Sequence, residues 1–337
     1  MATVALAGAS TGFGLTMLHQ FLHLNSLSQH PHKFVLLSRT SKPNLTALGI
    51  EVRVVDYADH SQLVHALKDV HTVLSTIGGS PEAIRDGQMA LLRAAKEAGV
   101  SRFAPSEYAG ISNDLIGYYA GKEEVWQAAQ RVSEETGMQV TKFMTGIFMS
   151  ILATGTPKPV TAVGEREGRK TGEEEALAGL RPWSFVINMK AGNADYPGDG
   201  SAKLVLTDMR DIATFVYHAL SLDHWPREMG MRGDVKSFRE IVAIVERVQR
   251  RKFLIKENSV EEMEEEMRRD EGKVFYNQCR VAIAEGWCVV PDTLNALFPE
   301  VETVGVEEFV GRWWSGVGVG KASWGTDTIL GKFAEEE

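Results

Sequence analysis

Tyr118 and Lys122 stand four residues apart in Tyr118-Tyr119-Ala120-Gly121-Lys122, and side chains at that spacing share one face of a helix. A tyrosine beside a lysine can protonate a carbonyl oxygen as hydride reaches its carbon. At 4 Å and an effective dielectric near 20 the ammonium favours tyrosinate by about 4 kcal/mol, enough to draw a phenol from ~10 toward neutrality. Ser106, in Arg102-Phe-Ala-Pro105-Ser106-Glu107-Tyr108, arrives from the end of a neighbouring strand. Lys122 also serves without the tyrosine, binding ribose hydroxyls or, once desolvated, acting as general acid. Tyr119 is as well placed as Tyr118 to face such a site. A Tyr and a Lys at this spacing occur on many helices by chance, so the weight of the pair comes from its surroundings.

The surroundings begin with Val4-Ala-Leu-Ala-Gly8-Ala-Ser10-Thr11-Gly12-Phe13-Gly14, a hydrophobic strand running straight into an amphipathic helix. In such a turn one glycine supplies unusual dihedrals, another lets backbone approach a pyrophosphate, and a third brings helix and strand together. The helix N-terminus then faces the phosphate charge. The second strand ends Val35-Leu-Leu-Ser38-Arg39-Thr40-Ser41-Lys42, with no acid where an NAD-selective domain carries one for the ribose hydroxyls. Arg39 can fork onto a 2′-phosphate, with Ser38, Thr40 and Lys42 as further donors, which favours NADPH over NADH. Asp56 and Tyr57 end the next strand beside the adenine. Thr76, Ile77 and Gly78 follow a fourth, where the cofactor passes at the carboxyl ends of the sheet.

These residues need a scaffold, and the first half of the chain supplies one in alternating short aliphatic runs and longer helical patterns. The runs Thr3–Ala7, Lys33–Leu37, Glu51–Val55, Thr72–Thr76, Arg102–Pro105 and Gln139–Phe143 read as strands. Leu15–Leu24, His60–Leu67, Ile84–Ala98 and Tyr119–Thr136 read as helices with one buried stripe each. An α/β fold is expected: a Rossmann-type doubly wound parallel sheet over residues 1–150, with a smaller, discontinuous substrate-binding lobe over 151–337. Within that lobe Val205–Thr207, Asp208 and Ile212–Leu220 read as a strand and an Asp-capped helix, so about 204–222 returns to the main sheet. Gly164–Gly179 is charged and contains glycine, the pattern of an exposed loop or mobile flap. Ser237–Gln249 and Ser259–Asp270 look like Ser-capped surface helices, and Val306–Trp314 like an aromatic segment docked on the core.

Composition narrows the partners. A net charge of −9 over 337 residues opposes attraction to nucleic acid or acidic membranes. Two cysteines, Cys279 and Cys288, and no signal-like start give neither a disulfide framework nor a secretory route, so a reducing cytosol is expected. No apolar run approaches the roughly 18 residues of a membrane span. His19 and His23 lie four apart without an evident third ligand, so no metal is expected. Trp313, Trp314 and Trp324 read as packing residues, and Glu261–Glu266 as a solvated face.

The order of motifs resembles the NmrA-like and isoflavone-reductase-like families, atypical short-chain dehydrogenases/reductases, and is most similar to their fungal members. The resemblance spans nearly the whole chain and rests on the glycine loop, Leu37-Ser-Arg39, Val55-Asp56-Tyr57, Phe103-Ala-Pro-Ser-Glu-Tyr108, Lys122, Gly146-Ile-Phe148-Met149, Tyr196-Pro-Gly198-Asp-Gly200, Asp211-Ile212 and Leu294-Asn-Ala-Leu-Phe298-Pro. It implies NADPH held by the glycine loop and Arg39, a lysine at Lys122 as proton donor or relay, and a small aromatic or polyketide-like substrate between the domains. Phe148, Met149 and Trp183, with Tyr108 across the cleft, are expected to line that pocket. Two departures stand out. Thr11 replaces the middle glycine of the family's usual loop, and Tyr118 restores the Tyr-x-x-x-Lys spacing of ordinary short-chain enzymes, leaving Tyr118, Lys122 or both as the acid. A reductase of ketones or enones in secondary metabolism is the reading favoured. An NADP(H)-sensing regulator without turnover and a non-redox isomerase or cyclase are its alternatives.

Overall fold

Both faces of β1 (Thr3–Ala7) are covered, which is why Val4 to Ala7 form an unbroken apolar run with no exposed side chain. In the computed structural model, which describes residues 2–325, 330 and 331, β1 pairs in parallel with β2 (Lys33–Ser38) and β4 (Thr72–Ser75). With β3 (Glu51–Val54), β5 (Arg102–Ala104) and β6 (Gln139–Val140) they build a six-stranded parallel sheet in the order β3-β2-β1-β4-β5-β6. The chain reverses its progress between β1 and β4, and in open α/β sheets the ligand crevice opens at the carboxyl ends of the strands at such a switch.

The period of two along β1 divides its contacts. Val4 and Leu6 pack with Met17 and Phe21 of the helix Gly12–Leu27 and with Ile212 and Phe215 of the helix Met209–Ala219. Ala5 and Ala7 face Leu63, Leu91 and Trp126 from the helices His60–Leu67, Pro81–Glu97 and Ala120–Thr136 on the other side. The strand expected over Gln139–Phe143 is broken at Thr141. It resumes as Lys142–Met144 and takes Glu228–Gly230 as a parallel neighbour.

The stretch 204–222, expected to return to the main sheet, adds no strand to it. The strand Lys203–Thr207 pairs instead with Asp234–Ser237 and Ile147–Phe148 in a separate three-stranded sheet. Asp208 accepts the Arg210 N–H at 2.8 Å, and this cap turns the following helix onto Gly12–Leu27, where Gln20 Nε2 donates to Thr214 Oγ1 at 3.1 Å. Gly146 makes the crossing: it sits at φ 65°, and a Cβ there would meet the Val205 carbonyl oxygen at 2.3 Å.

A second core under the outer lobe gathers Met149, Phe185, Tyr196, Phe238, Tyr276, Phe309 and Trp314. Trp313 and Trp314 are buried, whereas Trp324, expected to pack, is 45% exposed. Ser237 and Ser259 open their helices with capping boxes closed by Glu240 and Glu262. The end of the lobe expected over 151–337 includes residues 326–329 and 332–337, which lie outside the described residues.

Candidate functional site

Gly8 sits at φ 83°, and a Cβ on it would lie 2.7 Å from the Thr76 carbonyl and the Ile77 nitrogen. One on Gly14 would stand 2.3 Å from Thr76 Oγ1 and 2.7 Å from Ala9 Cα. The unusual dihedral and the close packing of helix on strand are therefore steric necessities of threading β1 into its helix beside the end of β4. The helix begins at Gly12, three residues before the apolar pattern, with Thr11 at its N-cap position. Thr11 makes no side-chain cap and no acid occupies the first turn, so the leading N–H groups and the positive end of the helix are left to an external anion. Ser10 is partly exposed and Thr11 exposed on the same loop.

Arg39 is exposed at the end of β2, and Lys42 is half-buried just beyond. Tyr57 lies near Arg39; burial lifts its phenol to about 12, and the nearby guanidinium opposes the rise. Asp56 is turned into its own loop, accepting the Ala58 N–H at 2.9 Å. Ile77 and Gly78 follow β4 at the switch point, and the place of a Cβ on Gly78 is open.

Phe13 joins this loop to an apolar cavity. Its ring stands 4.9 Å from both Tyr108 and Phe148, two residues that line a cavity of about 290 Å³ together with Trp183, Tyr119, Phe275 and Leu180. Trp183 stacks on Phe185 at 4.5 Å and on Phe275 at 5.5 Å, forming a flat aromatic wall. Met149, expected beside Phe148, does not line it. The turn Met149–Ala153 rotates that side chain inward, where it is completely buried in the second core.

The tyrosine and lysine are arranged differently from the expectation of a shared helical face. Gly117–Tyr119 is a 3₁₀ turn, and the α-helix starts only at Ala120. Tyr118 is 41% exposed and donates its hydroxyl to the Gly79 carbonyl at 2.7 Å. The tyrosine beside Lys122 is Tyr119, whose ring centroid lies 4.9 Å from the ammonium. Lys122 Nζ donates to the Glu107 carbonyl at 2.9 Å. It does not line the cavity but sits behind Tyr119 at its edge. Burial lowers the Lys122 pKa, and the Glu107 charge opposes that fall.

Ser106 is buried, its backbone N–H donating to Gln88 Oε1 at 2.6 Å. Next to it, Glu107 carries a buried carboxyl that sequence reasoning missed. Asn113 Nδ2 donates to Glu107 Oε2 at 2.8 Å, while Glu107 Oε1, Asn113 Oδ1 and the Tyr108 hydroxyl have no hydrogen-bond partner among the described residues. Burial raises the Glu107 pKa against the pull of Lys122 and Lys142. Tyr108 holds φ 32°, a left-handed backbone for a bulky residue and a mark of local strain. Nothing in the apolar spacing of this stretch announces that strain; Pro105 next to a strand end is its faint sequence trace.

Among the described residues no three His, Cys, Asp or Glu side chains gather as a metal cluster, and no helix is long and apolar enough to cross a membrane.

Comparison with known proteins places these features in context. The family described as NmrA-like matches residues 25–269. The match begins after the glycine loop. Oxidoreductase BOA1 of Botryotinia fuckeliana is 28% identical over 252 residues, covering 74% of this chain and 76% of its own. Oxidoreductase swnN of Metarhizium robertsii is 25% identical over 359 residues, covering 94% and 98%. The solved structure of AtPrR2 with NADP+ and (+)pinoresinol superposes with a TM-score of 0.70 at 18% identity, over 93% of this chain and 98% of that one.

Proposed function

Because this chain belongs to the NmrA-like family, we propose that it is an NADPH-dependent oxidoreductase that reduces a ketone, an enone or a related electrophilic carbon of a small aromatic metabolite. The observation that carries the reading is the meeting of loop and cavity through Phe13, which touches Tyr108 and Phe148 at once. A dinucleotide held by the glycine loop would therefore lie beside residues that line a flat apolar pocket. The oxidoreductase relatives and the neighbour holding NADP+ support the same reading.

The residues present fit the cofactor. Gly8 and Gly14 leave no room for a Cβ beside Thr76, the first helix has no cap or acid of its own, and Arg39 stands free at the end of β2 to fork onto a 2′-phosphate. When bound, the reduced nicotinamide supplies hydride to the substrate. The chain's own part is to orient, to exclude water and to deliver a proton. Trp183 and Phe275 stack on a planar substrate, with Phe148 and Tyr108 closing the apolar walls. Lys122, anchored on the Glu107 carbonyl and partly desolvated, gives its proton to the developing oxyanion through Tyr119 or through water. Ser106 is buried just beyond β5, its backbone N–H held by Gln88. The hydrogen bond of Tyr118 to Gly79 assigns that residue to holding the loop after β4.

The test is to follow NADPH oxidation with aromatic ketones and enones, in parallel with NADH. Turnover with a preference for NADPH is expected, and Arg39→Ala should weaken NADPH alone by about ten- to a hundredfold. Equal use of the two cofactors, or an Arg39→Ala protein with its preference intact, removes the assignment.

A further inference from the structure

The segment Gly164–Gly179, expected as an exposed loop or mobile flap, is folded into a strap. Its first helix, Ala162–Arg166, is capped by Thr161, and its second, Gly172–Leu177, by Thr171. Glu175, buried under the strap, accepts the Thr161 N–H at 2.7 Å and also its hydroxyl, closing the two ends on each other. Gly172 N–H donates back to the Lys158 carbonyl at 3.1 Å. Leu177 and Leu180 line the apolar cavity. Between them and the glycine loop lies Gly179: the position of its missing Cβ is 3.1 Å from Gly12 Cα, 3.2 Å from the Gly12 nitrogen and 3.2 Å from Arg169 Nη1. One end of the strap therefore rests on the start of the first helix, and a guanidinium lies against that same contact.

Arg169 is half-buried and held by its backbone, which donates to the Gly164 carbonyl at 2.8 Å. Its Nε is buried with no acceptor among the described residues. Four of the carboxylates nearby in sequence are engaged elsewhere. Glu167 meets Arg210 at 3.2 Å, Glu173 accepts the Gly155 N–H at 2.6 Å, Glu174 the Lys170 N–H at 2.7 Å and Glu175 the Thr161 N–H. A buried guanidinium N–H without a partner is costly, and a phosphate supplies the oxygens its planar fork matches. The neighbouring helix start likewise offers amide donors without a cap or an acid of its own.

We propose that Arg169 grips the pyrophosphate of the bound dinucleotide from the strap side of the glycine loop. The inference rests on the NADPH reading above and extends it to a residue outside the nucleotide domain. Arg39 addresses the 2′-phosphate, which only NADPH carries. Arg169 addresses the pyrophosphate, which both cofactors share, and so contributes to affinity without contributing to choice.

The test is a fluorescence titration of NADPH and of NADH on the substrate-free protein, comparing wild type, Arg39→Ala and Arg169→Met. The expected result is that Arg169→Met weakens both cofactors by the same factor, about ten- to a hundredfold, whereas Arg39→Ala weakens NADPH alone. Unchanged affinities in Arg169→Met overturn the proposal, and so does a loss confined to NADPH. A wild type that binds neither cofactor overturns the NADPH reading itself, a separate result. Should Arg169→Met melt early, Arg169→Gln is titrated in its place under the same criteria.

Discussion

The proton needed at the cavity's edge points to Lys122, and its surroundings make a prediction about pH. Burial holds its pKa below the ordinary lysine value, against the opposing charge of Glu107. As pH rises the proton is lost, so kcat should fall along an alkaline limb that lies below the usual lysine range near 10.4. Glu107→Gln removes the opposing carboxylate and should move that limb further down. Lys122→Met should cost about 10²–10⁴ in kcat with the cofactor still bound, since proton donation contributes on that scale. Tyr119→Phe should then cost more than Tyr118→Phe, because the Tyr119 ring lies against the ammonium and the Tyr118 hydroxyl is spent on Gly79. A limb in the ordinary lysine range, or a heavier loss from Tyr118→Phe, reverses these roles.

At the scale of elements, the short segment after Gly146 separates two neighbouring side chains by a single turn. Phe148 faces the cavity, and Met149, one residue on, is sealed in the second core. Met149→Ala should therefore lower stability by about 2–5 kcal/mol, seen in a denaturant melt, while leaving KM nearly unchanged. Trp183→Ala should show the opposite pattern, raising KM for an aromatic substrate with a smaller effect on the melt. A raised KM in Met149→Ala with no loss of stability contradicts this division.

Across the whole molecule, Asp211 ties the two lobes together. It lies on the helix that packs on Gly12–Leu27, and its Oδ2 accepts the Val304 N–H at 2.8 Å just ahead of the helix Val306–Trp314. Burial, and then the charge of Asp208, raise its pKa to about 7, while the Val304 N–H and Arg312 oppose the rise. A carboxyl whose folded value is raised contributes stability that is fully present below its unfolded value, near 4, and is lost as pH rises to about 7. The loss is roughly 4 kcal/mol at about 1.4 kcal/mol per unit. Asp211→Asn keeps an acceptor oxygen for Val304 and cannot ionise. The difference in melting temperature between variant and wild type should therefore grow in the variant's favour from pH 4 to 7 and level off above. A constant difference across that range means that the folded protein does not raise the Asp211 pKa above its unfolded value.

Much of the parallel sheet was legible in the sequence, because a strand buried on both faces must be apolar throughout and a strand-to-helix turn against a neighbouring strand must use glycine. The caps at Asp208, Ser237 and Ser259 were legible for the same local reason: a helix start needs an acceptor within two or three residues. Arg39, Lys42, Tyr57 and the loop from Gly8 to Gly14 fall at strand and helix ends that a chain pattern locates. Other features depend on residues far apart in the chain. Whether Tyr118 or Tyr119 meets Lys122 depends on a 3₁₀ turn whose Gly117 N–H donates to Gln278 Oε1 at 3.0 Å, 161 residues away. The pairing of Lys203–Thr207 with Ile147–Phe148 depends on the crossing at Gly146. The nearness of Arg169 to the glycine loop depends on Gly179 resting on Gly12, 167 residues earlier in a chain whose local pattern there reads as loop. Periodicity and capping are local properties and can be read along the chain, whereas the partners of a side chain are chosen by packing, which only the assembled molecule decides.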